Sequence, residues 1–160
     1  MKNSEIDLYP EIEKWFNQYL KEKYSRYKII TTCKTSQQNL DDVLREYKIE
    51  LKETIGLGIK IDIVGILMRK NVVKLAFIEV KNKNLTLRDL GQLWGYCQLI
   101  DPIESFLISS KGLGSLINII KTLKREDLLT YGLHNEKMMK IAKWDEIRKC
   151  IDSLSILPKL

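Results

Sequence analysis

Two neighbouring apolar runs constrain this chain more than anything else in it. Residues 59–68 read Ile-Lys-Ile-Asp-Ile-Val-Gly-Ile-Leu-Met, and residues 72–81 read Val-Val-Lys-Leu-Ala-Phe-Ile-Glu-Val-Lys. Both are rich in strand-forming types, and Arg69-Lys70-Asn71 between them supplies the turn of a hairpin. From Leu75 to Ile78 the second run is apolar on both faces. That predicts a central strand covered by helices on each side.

The rest of the chain offers those layers. Leu8, Ile12, Trp15, Phe16, Tyr19 and Leu20 recur at helical spacing and predict a helix over 8–24, with Pro10 tolerated in its first turn. A short helix is expected at Leu40–Tyr47. A longer one is expected over 86–100, capped by Thr86 or Asn84 and stopped by Asp101-Pro102. Helices are also expected over 113–125 and 144–153. Strands are expected over 26–33, over 103–109 and near 137–142. This order predicts an α/β architecture with a mixed central sheet. A right-handed crossover would set 103–109 parallel to 72–81. With 160 residues, no repeat and no linker, residues 1–160 are expected to form one domain.

Three of the charges in the two runs stand out. Asp62 stands between Ile61 and Ile63, and Glu79 and Lys81 flank Val80. Alternation along a strand puts Glu79 and Lys81 on one face and Val80 on the other. A turn centred on residues 70–71 sets Asp62 opposite Glu79. Two carboxylates brought together must either take up a proton or share a hard cation. Mg²⁺ favours one or two carboxylates with several waters, and the Val80 carbonyl is a further candidate ligand. Lys81 is placed to orient a water or to balance charge on a phosphate.

The helix after these strands adds a polar stripe. Arg88, Gln92 and Tyr96 follow one another at four-residue steps, while Leu90, Leu93, Cys97 and Ile100 form the core stripe. A cation, an amide and an aromatic suit phosphate and base contacts. Lys60 and Lys83 add cations beside the strand ends. The net charge of +6 permits a polyanionic partner without establishing one. The single histidine, His134, argues against chemistry that needs two. Cys33, Cys97 and Cys150 are odd in number and far apart, which argues against a disulfide framework or a local zinc site and suits a reducing compartment. The polar opening Met1-Lys2-Asn3-Ser4-Glu5 has no signal-peptide core, and no apolar run approaches the ~18 residues of a membrane helix. The expectation is a soluble, cytoplasmic protein. Gly56-Leu57-Gly58 precedes a strand and reads as a turn. Lys111-Gly112-Leu113-Gly114-Ser115 follows a strand but lacks the other phosphate-loop residues, and reads as a plain loop.

Asp62 followed by Ile78-Glu79-Val80-Lys81 resembles the Asp and Glu-x-Lys motifs of the PD-(D/E)xK nuclease superfamily. Gln92-Leu93-Trp94-Gly95-Tyr96 is similar to the Gln-x-x-x-Tyr element of its RecB-like branch. The resemblance spans about residues 8–110. It implies a restriction-endonuclease-like fold, with a mixed central β-sheet flanked by α-helices. It also implies Mg²⁺- or Mn²⁺-dependent hydrolysis of DNA, less often RNA, commonly by a homodimer. Asp62, Glu79 and Lys81 would be catalytic together with Gln92. As in archaeal Holliday-junction resolvases, an acid on the first helix would join them, Glu13 being the best positional match and Glu11 the reserve. Ile61 stands where the family name has proline, and residues 111–160 match no motif of the family. Two other readings are a nuclease fold serving as a DNA-binding or complex-forming subunit, and a basic α/β interaction protein.

Overall fold

A computed structural model describes residues 4–159, so the first three residues of the polar opening stretch lie outside the described residues. The chain forms a mixed α/β structure. A 3₁₀ turn at Glu5–Leu8 leads into α1 (Tyr9–Lys23), followed by β1 (Lys28–Thr32), α2 (Leu40–Glu46), β2 (Ile63–Arg69), β3 (Val72–Lys81), α3 (Leu87–Ile100) and β4 (Glu104–Ser109). Beyond them come β5 (Thr130–Tyr131), β6 (Lys137–Met138), β7 (Lys140–Asp145) and β8 (Cys150–Ile151). The main sheet runs β1-β2-β3-β4-β7-β8. β1, β2 and β3 are antiparallel neighbours, and β3, β4 and β7 are parallel.

Alternation along the strands sorts two cores onto the two faces of this sheet. Ile63, Leu67, Ala76, Ile78, Val80, Phe106 and Ile108 pack with Ile12, Phe16 and Leu20 of α1. Val64, Ile66, Leu75, Phe77 and Leu107 pack with Leu40 and Leu44 of α2 and with Leu90, Leu93 and Cys97 of α3. β3 is therefore paired on both edges and covered on both faces, as its apolar stretch predicts. In the hairpin Ile63 lies opposite Ile78, the register set by the turn at Lys70-Asn71. Thr86 caps α3, and Asp101 closes it in the left-handed region at φ 56°.

Four expectations are corrected. β2 begins at Ile63, so 59–62 lie outside the ladder. The helix expected over 113–125 is shorter, covering residues 116–122, and its Asn118–Thr122 part is π-helical, with Leu123 N–H donating to the Asn118 carbonyl. The strand expected near 137–142 is two: β6, and β7 pairing with β4. The helix expected over 144–153 is a strand end, a turn and a short strand. Trp144 is buried on the α1 face, and the Asp145 carboxylate accepts from the N–H groups of Ile147 and Arg148, both at 2.9 Å. A side chain that satisfies the backbone locally in this way competes with helix.

No helix among the described residues is long and apolar enough to cross a membrane.

Gly65 of β2 lies directly under Phe16 and Leu20 of α1. A Cβ there would meet Leu20 Cδ1 at 2.5 Å and Phe16 Cε1 at 3.2 Å, both on fully buried side chains that would have to shift. Gly65→Ala is expected to cost about 1–3 kcal/mol by overpacking, read as a lower midpoint in urea unfolding with an unchanged slope.

Candidate active site

The charged residues meet where β3 ends and the chain turns toward α3. Glu79 and Lys81 share the α2/α3 face of β3, as alternation requires, and Lys81 Nζ donates to Glu79 Oε1 at 2.8 Å. Asp62, one residue before β2, comes alongside: its Oδ2 accepts from the Val80 backbone N–H at 2.7 Å and its Oδ1 from the Tyr9 hydroxyl at 2.7 Å. Val80 itself packs on the α1 face.

The second Glu79 oxygen, Oε2, is buried without a hydrogen-bond partner among the described residues. Glu79 is only 4% exposed, and burial, then the charge of Asp62, push its carboxyl up to about 7 against the pull of Lys81. Asp62 is raised too, by burial, although the Val80 N–H, the Tyr9 hydroxyl and Lys81 act the other way. Burial works against the Lys81 ammonium, yet Glu79 and Asp62 outweigh it and hold the lysine above its usual range. Tyr9 is raised by burial and by Asp62, so its phenol stays protonated and donates.

A third acid stands at the rim. Glu5, on the 3₁₀ turn before α1, accepts from the Asn82 N–H at 3.2 Å, and its charge bears on Asp62, Glu79 and Lys81. Glu13, one turn along α1 from Tyr9, accepts instead from Thr31 Oγ1 of β1 at 3.4 Å. Glu11 and Glu13 line a broad surface cleft with Lys14, Asn17 and Thr31. Among the described residues, no three His, Cys, Asp or Glu side chains stand close enough to form a metal cluster by themselves. The donors at the site are carboxylate oxygens. An orphaned buried oxygen beside a second raised carboxylate fits a hard divalent cation that keeps several waters.

Of the proposed binding stripe, Arg88 and Gln92 are exposed on α3, and Tyr96 is half-buried against the α2/α3 core. Lys60 is exposed on the irregular segment before Asp62. Lys83 pairs with Asp89 at 2.8 Å. Burial disfavours the Asp89 charge, but Lys83 and Thr86 hold it below the usual carboxylate range. Asp89 thus closes the capping box of α3 with Thr86. The Lys111–Ser115 segment lies between β4 and the helical residues 116–122. Ser109 Oγ accepts from the N–H groups of Lys111 at 3.0 Å and Gly112 at 3.1 Å, so those donors already have a partner.

Tyr9, Glu5 and Asn82 are members of the site that sequence reasoning did not select. The one signal available was Ser4-x-x-Asp7, a capping pattern that orders the segment carrying Glu5 and Tyr9.

Compared with known proteins, the chain matches no family model, no curated protein and no solved structure.

Raising Glu79 from its ordinary 4.5 to about 7 means that the folded chain keeps a proton the unfolded chain has already released. Stability must then fall as pH rises between those values and stay reduced above them. In chelator, Glu79→Gln is expected to gain about 1–3 kcal/mol over the parent at pH 8 and to flatten its loss of stability between pH 5 and 8, measured by thermal unfolding.

Proposed function

We propose that the protein is a metal-dependent nuclease of the PD-(D/E)xK type, with a restriction-endonuclease-like fold, hydrolysing phosphodiester bonds in DNA. The observation that carries this reading is the convergence of Asp62, Glu79 and Lys81 at one end of the sheet, with a Glu79 oxygen buried and unpartnered. Asp62 and Glu79 would hold Mg²⁺ or Mn²⁺, aided by the Val80 carbonyl, with Glu5 or Glu13 as the acid from the N-terminal segment. Such a cation, when bound, polarises a phosphate and acidifies a coordinated water. Lys81 is held beside Glu79. Its ammonium can orient the attacking water and offset charge building on the phosphate. Arg88, Gln92 and Tyr96 on α3, with Lys60 and Lys83 nearby, would contact the nucleic acid. DNA is the first substrate and RNA the second; a homodimer and a cytoplasmic setting belong to the same proposal.

One observation favours a second reading, a nuclease fold retained as a DNA-binding or complex-forming subunit. Both Asp62 oxygens already accept hydrogen bonds from the protein, one from Tyr9 and one from Val80.

The test is a cleavage screen with Mg²⁺ and Mn²⁺ over single-stranded, duplex, flapped and four-way DNA. Asp62→Ala, Glu79→Ala and Lys81→Ala are each expected to lose at least about 100-fold in rate. Glu5→Ala and Glu13→Ala, compared side by side, show which acid serves the site. Scission that survives all three core substitutions removes the mechanism. Salt-sensitive binding with no scission in any metal selects the second reading.

A further inference from the structure

Of the three core residues, only Asp62 lies outside a strand. Glu79 and Lys81 are fixed by the ladder of β3, whereas Asp62 sits in a bend just before β2 begins at Ile63. Its carboxylate is held by side-chain and backbone donors instead. The Val80 N–H ties Oδ2 to the sheet, and the Tyr9 hydroxyl ties Oδ1, both at 2.7 Å. One hydrogen bond leaves a carboxylate free to swing about it; the second sets its plane.

Tyr9 is well placed for this work. It is 5% exposed and packs with Leu8, Ile12 and Val80. It opens α1, directly after the 3₁₀ turn Glu5–Leu8. Two bonds hold that turn: Ser4 N–H donates to Asp7 Oδ2 at 2.7 Å across it, and at its start Glu5 Oε2 accepts from Asn82 N–H at 3.2 Å.

We infer that Tyr9 is a positioning residue, orienting the Asp62 carboxylate for a divalent cation, and that the 3₁₀ turn holds Tyr9 in place. This rests on the metal-site reading above. Partners that orient a ligating side chain typically contribute 10–100-fold to metal affinity.

The experiment is calorimetric titration of the whole chain with Mn²⁺ alone, with no nucleic acid. The parent, Asp62→Asn, Tyr9→Phe and Asp7→Ala are compared, and folding is checked by thermal unfolding in chelator. Tyr9→Phe keeps the ring and its packing and removes only the hydroxyl. It is expected to weaken Mn²⁺ binding by about 10-fold while the chain remains folded at the titration temperature. Asp7→Ala loosens the turn without touching either carboxylate. It is expected to weaken binding in the same direction, and it carries the test if Tyr9→Phe does not fold. No Mn²⁺ binding by the parent, or undiminished binding by Asp62→Asn, overturns the metal-site reading and this inference with it. Binding that is lost in Asp62→Asn but equal to the parent in the folded Tyr9 or Asp7 variant overturns the inference alone.

Discussion

From Leu75 to Val80, strand β3 has no free side. β2 and β4 take its two edges, α1 covers one face, and α2 with α3 covers the other. A charge in the middle of such a strand would be left without water or partner, at a cost of several kcal/mol. Its only tolerable place is the end, where the layers open and the chain leaves for the next helix. Glu79 and Lys81 occupy that end. The hairpin register then decides what stands across from them. With Ile63 opposite Ile78, the next residue outward on the neighbouring segment is Asp62. The two carboxylates come together because of a turn some eight residues away, at Lys70-Asn71.

Two buried glutamates show how differently this fold treats a charge. Glu104, at the start of β4, accepts from Lys140 Nζ at 2.6 Å and the Tyr24 hydroxyl at 2.6 Å, and also pairs with Lys23. Burial disfavours its charge, but Lys140, Lys23 and Tyr24 outweigh that and hold its carboxyl below the usual range. Glu79 has Lys81 on one oxygen, no hydrogen-bond partner on the other among the described residues, and a second carboxylate beside it, and it is pushed up. Glu104 is a satisfied structural ion group. Glu79 is a charge that the protein alone does not settle, the condition that marks a functional site more often than a structural one.

What could be read beforehand follows from which forces are local. The hairpin and the capped helix α3 were legible because period, turn and cap all lie within short stretches of sequence. The pairing of Asp62 with Glu79 was legible for the same reason, needing only alternation and a turn position. The C-terminal third was legible only in part, and its last element was not. The pattern around Trp144 and Ile147 suits a helix. What overrides it is Trp144 finding a place in the α1 core and Asp145 bonding its own turn, a tertiary contact and a side-chain bond that no periodicity encodes. The acid of the first helix was sought at Glu13, by position along α1. Glu5, on the turn before that helix and far from the pair in sequence, also has a charge that bears on it.

The same division explains Tyr9. As a sequence letter it is one more apolar position on an amphipathic helix, and it is buried in that role. Its hydroxyl acquires a second role only because α1 begins at the end of the sheet where Asp62 has no strand to hold it. A carboxylate on a ladder is aimed by its backbone. A carboxylate one residue off the ladder must be aimed by something else, and a rigid phenol anchored in the core is well suited to that, because its ring has few rotamers to lose and its hydroxyl oxygen sits at a fixed place on the ring axis. The irregular start of β2 and the buried tyrosine opposite it are therefore one arrangement: the freedom gained by leaving the sheet is removed again by the hydrogen bond from α1.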